Sequence, residues 1–222
     1  ELIEVPIPEP KENWVLVKIH AAPMCTEYKA WLDGTPLSGL GHEASGEVVQ
    51  VAQPGKVTIG DRVVVMPGTP CGKCSLCISG DYIHCENYYN YNEFTGTDGD
   101  NATMAQYILK PDWMLPVIPD DITYELASLA CCALGPTFGA MQNTEVDAFD
   151  TIMITGAGPV GLGGVVNAKF RGARVIVVEK EAWRCKKAQE LGADLILDPG
   201  DENILDKILE FTGYLGVDAA ID

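Results

Sequence analysis

The chain has 222 residues, of which 47% are hydrophobic and 21% are charged, so it can bury a core and is not a disordered chain. Its formal net charge of −17 argues against nucleic-acid backbones and anionic membrane surfaces as partners, because both would repel it. No apolar run approaches the roughly 18 residues that a membrane span needs.

The first half of the sequence predicts short strands separated by turns. Residues 14–19 alternate enough to form a half-buried strand, and residues 47–52 and 61–66 predict two more. Such strands are typical of a β-rich, barrel-like region. Residues 68–101 are rich in Gly, Cys, Asn, Asp and Tyr and show weak periodicity. They predict a lobe or a long loop that an external staple, such as a metal ion, would hold.

After about residue 123 the pattern changes to strands that alternate with helices, which predicts parallel βαβ units. The domain boundary is expected near residues 133–140. Predicted helices cover 124–132, 160–170, 181–191 and 203–211, and predicted strands cover 150–155, 174–178, 195–197 and 217–221. Because the last strand would lie at an open edge of the sheet, we expect the chain to be part of a longer protein.

Four cysteines lie close together in the predicted lobe: Cys71, Cys74, Cys77 and Cys85. Four thiolates at this spacing suit a closed tetrahedral zinc site of the structural kind. Disulfides and an iron–sulfur cluster are the alternatives, and His84 is interpreted as a bystander beside the last cysteine. The clustering of cysteines in ligand spacing favours a reducing cytoplasm, and no signal peptide is visible, although a segment upstream of Glu1 stays open.

A second set of ligand types is spread along the chain: Cys25, His42 and the pair Cys131-Cys132. Two thiolates and one imidazole are the ligands of an open catalytic zinc, with substrate or water at the fourth position. From spacing alone, however, a lone surface histidine and two buried cysteines are the favoured interpretation.

A glycine-rich loop follows the strand predicted at 150–155. Gly156, Gly158 and Gly161 form G-x-G-x-x-G, with Pro159 and Val160 between the last two. In this pattern the first glycine makes the turn, the second admits a pyrophosphate and the third allows close packing of helix and strand. The phosphates would bind at the helix N-terminus.

An acidic residue, Glu179, ends the next predicted strand 18 residues after Gly161. A carboxylate there can bind both ribose hydroxyls and would repel a 2′-phosphate, which favours NAD over NADP. Lys180 and Arg184 nearby weaken that preference slightly.

In order and spacing, these segments resemble the zinc-containing medium-chain dehydrogenase/reductase superfamily, which includes alcohol, sorbitol and threonine dehydrogenases. The matching segments are VLVKIHAAPMC at 15–25, GHEASGEV at 41–48, GDRVVV at 60–65, the cysteine spacing at 71–85, CALGPTFGA at 132–140 and TGAGPVG at 155–161. The resemblance implies an α/β protein with a GroES-like catalytic domain at 1–133, including a zinc lobe near 68–101. A Rossmann-type NAD-binding domain with a parallel sheet follows at 134–222, and both ends are expected to be truncated.

The resemblance also implies roles for individual residues. Cys25, His42 and Cys132 are expected to bind a catalytic zinc, with Cys131 in reserve as the third ligand. Glu43 matches an acidic residue next to the zinc ligand that supports the site or occasionally binds the metal. The four-cysteine lobe matches the structural zinc lobe of the alcohol dehydrogenases, so we expect two zinc ions per subunit.

This chain departs from the family pattern around Cys25. The family usually has one residue between the cysteine and a Ser/Thr-Asp pair, whereas here Thr26 and Glu27 follow directly. Thr26 is then the expected proton-relay hydroxyl. Lys29 stands near the usual position of a relay histidine, and Pro136 replaces a usual threonine near the nicotinamide.

The sequence therefore predicts an NAD-dependent, zinc-dependent alcohol or polyol dehydrogenase that is a homodimer or homotetramer. Its partners are expected to be a small alcohol or carbonyl compound, with neither nucleic acid nor membrane among them. One alternative is a zinc-independent NAD(P)H reductase of the same superfamily. Another is a non-catalytic nucleotide-binding homologue.

Overall fold

The first unit of the chain is built on an antiparallel sheet. The computed structural model describes residues 3–37, 39–97 and 101–222, and the chain divides into two compact units, Glu1–Leu129 and Ala130–Asp222. The sheet of the first unit has the strand order β3-β2-β1-β4. Its strands are β1 (Trp14–Ala21), β2 (Ala44–Val51), β3 (Arg62–Val65) and β4 (Tyr107–Pro111).

Strand β1 lies in the middle of this sheet and starts its hydrophobic core. Its first four residues are buried, and Trp14 packs against the rings of Tyr89 and Phe94 at centroid distances of 5.5 and 4.3 Å. Burying each large apolar side chain contributes about 1.5–3 kcal/mol, so this packing stabilises the central strand. The predicted β-rich first region is confirmed.

Strand β4 was not predicted from the sequence, because Lys110 and Pro111 break its apolar pattern. Lys110 is fully buried, and its Nζ donates a hydrogen bond of 2.7 Å to the carbonyl oxygen of Gly68. This contact ties β4 to the loop that leads into the cysteine lobe. A buried lysine paired with a carbonyl is a tertiary feature that strand propensity does not reveal.

The helices of the first unit are short. They are α1 (Tyr28–Leu32), α2 (Ser75–Ser79), α3 (Tyr91–Thr95) and α4 (Tyr124–Ala127). Helix α2, a 3₁₀ turn at Tyr82–His84 and α3 lie in the lobe predicted at 68–101. Because helices of one turn are not stable alone in water, this lobe needs other support.

The second unit contains a parallel sheet with helices, as the alternating pattern predicts. The strand order is β7-β6-β5-β8, and every pairing is parallel. Its strands are β5 (Thr151–Thr155), β6 (Arg174–Val178), β7 (Leu195–Leu197) and β8 (Ala219–Ile221). Its helices are α5 (Gly135–Asn143), α6 (Pro159–Arg171), α7 (Ala182–Glu190) and α8 (Ile204–Phe211). Among the described residues, no helix is long and apolar enough to cross a membrane.

The continuous helix predicted over 124–132 is wrong. Helix α4 ends at Ala127, a π-helical turn covers Ala130–Leu134, and α5 starts at Gly135. Pro136 explains the interruption, because it has no N–H to donate to the carbonyl of Cys132 and its ring would clash with that carbonyl in a regular helix. The wider turn accommodates the proline, and it carries both Cys131 and Cys132.

Candidate functional site

The structure brings the four cysteines of the lobe together. The sulfur atoms of Cys71, Cys74, Cys77 and Cys85 all lie within 4.8 Å of one another, and those of Cys74 and Cys77 are 3.5 Å apart. Four thiolates about 2.3 Å from a tetrahedral zinc would be about 3.8 Å apart, so the spacing fits the ion. No disulfide joins any of the eight cysteines, all of which are described.

Backbone N–H groups point at the sulfur atoms of this cluster. The N–H of Cys74 donates to Cys71 Sγ at 3.4 Å, and the N–H of Asn87 donates to Cys85 Sγ at 3.3 Å. The backbone N–H of Lys73 is the main cause that lowers the pKa of the Cys71 thiol to about 6. Burial and the neighbouring Cys74 raise the pKa of Cys77 to about 12. Thiolates stabilised by N–H donors are suitable metal ligands, and a bound cation would ionise the remaining thiols.

Aromatic residues pack the cysteine lobe against the rest of the first unit. Gly72 has a φ of +71°, which favours glycine. A side chain at this position would also lie 3.1 Å from the ring of Trp113, so both the backbone angle and the close contact require a glycine here. The ring of Tyr82 packs edge-on against Trp113 at 6.0 Å. His84 is exposed and is outside the group of four sulfur atoms.

The second predicted metal site begins where β1 ends and β2 starts. Ligand atoms of Cys25 and His42 lie within 4.8 Å of each other, although 17 positions separate the residues. Gly41, with φ +90°, makes the turn before His42, and any side chain there would lie 2.5 Å from Thr103 Oγ1. Glu43 is 3% exposed, and its carbonyl accepts a hydrogen bond from Thr103. The turn that presents His42 is therefore tightly constrained.

Glu27 orients His42. Its Oε1 lies 3.3 Å from His42 Nδ1 and accepts a hydrogen bond of 3.1 Å from the N–H of Gly41. With Nδ1 facing this carboxylate, Nε2 on the opposite edge of the ring is the nitrogen left for a metal. Glu27 Oε2 is buried and accepts no hydrogen bond from the described residues. An uncompensated buried carboxylate oxygen favours a cation nearby, so these residues fit a metal ion.

The family resemblance gave Glu27 as the acid beside Thr26, the expected relay hydroxyl. Its contact with the imidazole of His42 was not predicted, because it joins residues 15 positions apart in the chain. Thr26 is exposed, with its Oγ1 3.9 Å from Cys25 Sγ, and Lys29 is exposed on α1. The proton relay through Thr26 stays a prediction.

In the second unit, Cys131 and Cys132 are half-buried on the π-helical turn. The turn packs directly on α6, because a side chain at Gly163 would lie 1.9 Å from the carbonyl oxygen of Ala133. Consequently, the segment that carries the expected third ligand is in backbone contact with the helix that follows the glycine-rich loop.

The glycine-rich loop connects β5 to α6 as the pattern predicts. Gly156 has φ +80°, Gly158 is the N-cap of α6, and Pro159 is at the start of the helix. A side chain at Gly161 would lie 1.9 Å from the carbonyl oxygen of Gly156, whereas one at Gly158 would meet nothing within 4 Å. Open space over the helix N-terminus suits a pyrophosphate, whose charge the free N–H groups and the dipole favour. The loop also lies between β5 and β8, where the strand order changes direction.

Glu179 lies behind this loop and is 7% exposed. Its Oε2 accepts a hydrogen bond of 2.8 Å from the N–H of Ala157, and Oε1 accepts from the N–H groups of Lys180 and Glu181. These donors, with Glu181 first, lower the pKa of Glu179, so its stabilising effect is present at neutral pH and is lost as the pH falls through the folded value. Arg184 lies 3.6 Å from Oε2. The carboxylate is therefore charged and fixed beside the glycine-rich loop.

Two family profiles match the chain. The alcohol dehydrogenase GroES-like domain matches residues 11–120, and the zinc-binding dehydrogenase family matches residues 159–222. The chain is 34% identical to L-threonine 3-dehydrogenase from Pyrococcus furiosus, over all of this chain and 65% of that protein. It is 35% identical to D-arabitol-phosphate dehydrogenase from Enterococcus avium, over 99% of this chain and 64% of that protein. The chain thus spans slightly less than two thirds of the length of these relatives.

A solved structure is also similar. The crystal structure of benzyl alcohol dehydrogenase from Acinetobacter calcoaceticus matches with a TM-score of 0.83 and 28% sequence identity. The match covers 99% of this chain and 66% of that one. The similarity therefore extends across both units rather than being limited to the glycine-rich loop or the cysteine lobe.

We expect Glu27→Asp to disturb His42 although it keeps the charge, because the shorter side chain no longer reaches Nδ1. A hydrogen bond to a charged group contributes about 1.5–3 kcal/mol, which is enough to select one imidazole tautomer. NMR spectra of ¹⁵N-histidine-labelled, metal-free protein should show the Nδ1–H tautomer of His42 in the parent and a mixture in the variant. Glu93→Asp, on an exposed position of α3, is the control. An unchanged His42 tautomer in Glu27→Asp would contradict the orienting role.

The thiol pKa values predict an order of alkylation in metal-free protein. Above pH 6 Cys71 is a thiolate, so iodoacetamide at pH 7.5 should label it first, and labelling should slow as the pH falls below about 6. Cys77, whose pKa is raised to about 12, should react last of the four. Mass spectrometry of timed samples measures the order, with Cys185 as an internal reference because burial raises its pKa. Equal labelling of Cys71 and Cys77 would contradict this arrangement.

Proposed function

We propose that this chain, which belongs to the zinc-containing medium-chain dehydrogenase/reductase superfamily, acts as a zinc- and NAD-dependent alcohol or polyol dehydrogenase. The observation that carries the proposal is the pairing of Cys25 with a histidine, His42, that Glu27 orients through Nδ1. A histidine held in this way, beside a thiol and an uncompensated carboxylate oxygen, is suited to bind a catalytic metal.

Cys25 and His42 would hold the catalytic zinc together with Cys132, the third ligand that the family resemblance implies. Glu43 would support the site from its buried position next to His42. Zinc bound by two thiolates and one imidazole keeps a position for the substrate oxygen and lowers the pKa of an alcohol. Thr26 is proposed to relay the alcohol proton to solvent, accepting it while donating its own hydroxyl proton to water, since its hydroxyl is exposed next to Cys25. The four-cysteine lobe would bind a second zinc that stabilises its fold.

The second unit would bind NAD through the glycine-rich loop and Glu179. Gly158 would leave room for the pyrophosphate at the start of α6, beside Pro159 and Val160, while Gly156 makes the turn and Gly161 lets α6 pack against the loop. Glu179 would accept hydrogen bonds from the ribose hydroxyls, and its negative charge opposes a 2′-phosphate. Lys180 is exposed and Arg184 already faces Glu179, so neither offsets that charge completely.

The reaction class follows from these two sites. An alcohol whose oxygen is held and deprotonated can transfer hydride from its carbon to the nicotinamide, giving a carbonyl compound and NADH. Relatives named for threonine and arabitol phosphate share the fold of this chain, so a secondary alcohol or polyol is the proposed substrate class. The homodimer or homotetramer stays a prediction.

We expect the full-length protein to contain two zinc ions per subunit and Cys25→Ser to contain one. Loss of a ligand should lower kcat with NAD and a panel of alcohols and polyols by at least about a hundredfold. Elemental analysis and steady-state kinetics are the measurements. Cys185→Ser, a cysteine outside both ligand groups, should keep both ions.

Two outcomes would contradict the proposed function in different ways. A single zinc in the parent, held by the four-cysteine lobe, with turnover that a chelator does not affect would identify a zinc-independent reductase. NADH binding, seen by fluorescence, without turnover on any compound of the panel would identify a non-catalytic homologue.

We expect Glu179→Gln to reduce the preference for NAD over NADP. A hydrogen bond to a charged group contributes about 1.5–3 kcal/mol, so the ratio of the two kcat/KM values should fall roughly tenfold to a hundredfold. Glu181→Gln is the matched control, because Glu181 is exposed and its side chain does not cap α7, and its ratio should stay within about twofold. An unchanged ratio in Glu179→Gln would show that another residue selects the cofactor.

A further inference from the structure

The π-helical turn Ala130–Leu134 presents Cys132, and its position is set by contacts from α6. π-helical turns are rare and occur mostly as single turns at functional sites. Here the backbone of the turn approaches α6 without a side chain between them, since a side chain at Gly163 would lie 1.9 Å from the carbonyl oxygen of Ala133. A contact of this kind fixes the distance between the two segments, but it does not fix the rotation of the turn.

Asn167 supplies the polar contact that fixes the rotation. Its Nδ2 donates hydrogen bonds of 2.8 Å to the carbonyl oxygen of Leu134 and to Thr137 Oγ1. Thr137 Oγ1 in turn donates to the carbonyl of Leu134 at 3.3 Å, so the three groups form a closed triangle. Asn167 is 7% exposed and Thr137 is 1% exposed. Because these bonds are shielded from water, losing one member leaves buried polar groups without a partner.

Gly163 and Asn167 are four residues apart and therefore lie on the same face of α6. This face receives the end of the π-helical turn and the first turn of α5. The hydrogen bonds of the Asn167 amide go to Leu134 and Thr137, at the end of the turn and the start of α5. The backbone approach at Gly163 and these bonds together attach the turn that carries the cysteine pair to α6.

We propose that Asn167, together with Thr137, is a positioning residue that holds the π-helical turn on α6 and thereby sets the place of the Cys132 thiolate. The inference rests on the proposed function, because Cys132 is a metal ligand only there. Without the triangle, the turn is free to rotate about the Gly163 contact. The thiolate then leaves its position toward the metal, while the glycine-rich loop keeps its shape.

The experiment replaces zinc by Co²⁺ in the full-length protein, because cobalt–thiolate absorption bands report the geometry of the ligands. Subtracting the spectrum of Cys132→Ser isolates the catalytic site from the four-cysteine lobe. In Asn167→Leu and Thr137→Val we expect shifted d–d bands and cobalt binding at this site about tenfold weaker or more. NADH affinity should change by less than about threefold, since the glycine-rich loop is not touched.

Two controls separate positioning from a general loss of stability. Thr212→Val removes another buried hydroxyl of the second unit, at the C-terminal end of α8, which donates to the carbonyl of Ile208, and should leave the cobalt bands unchanged. Thr137→Ser keeps the hydroxyl and should restore the parent spectrum. Thr137→Val removes one hydroxyl and keeps the shape of the side chain. It therefore tests the positioning role even if Asn167→Leu does not fold.

Each outcome decides the inference. Parent-like cobalt bands and affinity in both Asn167→Leu and Thr137→Val would overturn the positioning role while leaving the proposed function intact. A parent protein without any cobalt–thiolate signal beyond the four-cysteine lobe would overturn the proposed function and this inference together. Shifted bands in Thr212→Val would show that stability rather than position is responsible.

Discussion

The antiparallel pairing of β1 with β2 is the constraint on which the candidate active site depends. Its register places Ala21, at the end of β1, opposite Ser45, near the start of β2. The loops outside these two ends must then lie side by side, which brings Cys25 and His42 to within 4.8 Å. Trp14 and Val17 are buried on opposite faces of β1 and hold it in that register, because a slip would move both side chains out of their packed positions.

The pairing brings Cys25 and His42 together, and the carboxylate of Glu27 holds the imidazole through Nδ1. Its single oxygen Oε1 serves both the ring of His42 and the backbone of Gly41, so the side chain and the turn that carries it are held by one group. The acid that directly follows Thr26 therefore holds both the imidazole and the turn before it.

In the second unit, close contacts between backbone segments hold the loop and the π-helical turn in place. Gly161 allows α6 to touch the loop after β5, and Gly163 allows the π-helical turn to touch α6. The four-cysteine lobe differs, because its short helices bury little and its four sulfur atoms converge, so that a bound metal ion would supply the cross-link.

How much the sequence determined depends on how local each feature is. The four-cysteine spacing, the strand–loop–helix at Gly156–Gly161 and Glu179 were identifiable from the sequence, because ligand chemistry and phosphate binding require particular residue types at short separations. The alternation of apolar residues was likewise sufficient to predict both sheets, apart from β4, where a buried Lys110 replaces the expected apolar residue. Helix boundaries failed at 124–132, where a proline four residues beyond Cys132 forces a wider turn.

The features that only the tertiary structure decided involve residues far apart in the chain. From spacing alone, His42 was indistinguishable from a surface histidine, since the pairing of β1 with β2 that brings Cys25 beside it is not encoded at any short separation. Glu27 gained a role only when its distance to Nδ1 was known. Asn167 carried no signal at all, because an asparagine within a helix is ordinarily solvated. Its meaning comes from the carbonyl of Leu134, 33 positions earlier, which folding places 2.8 Å from its amide.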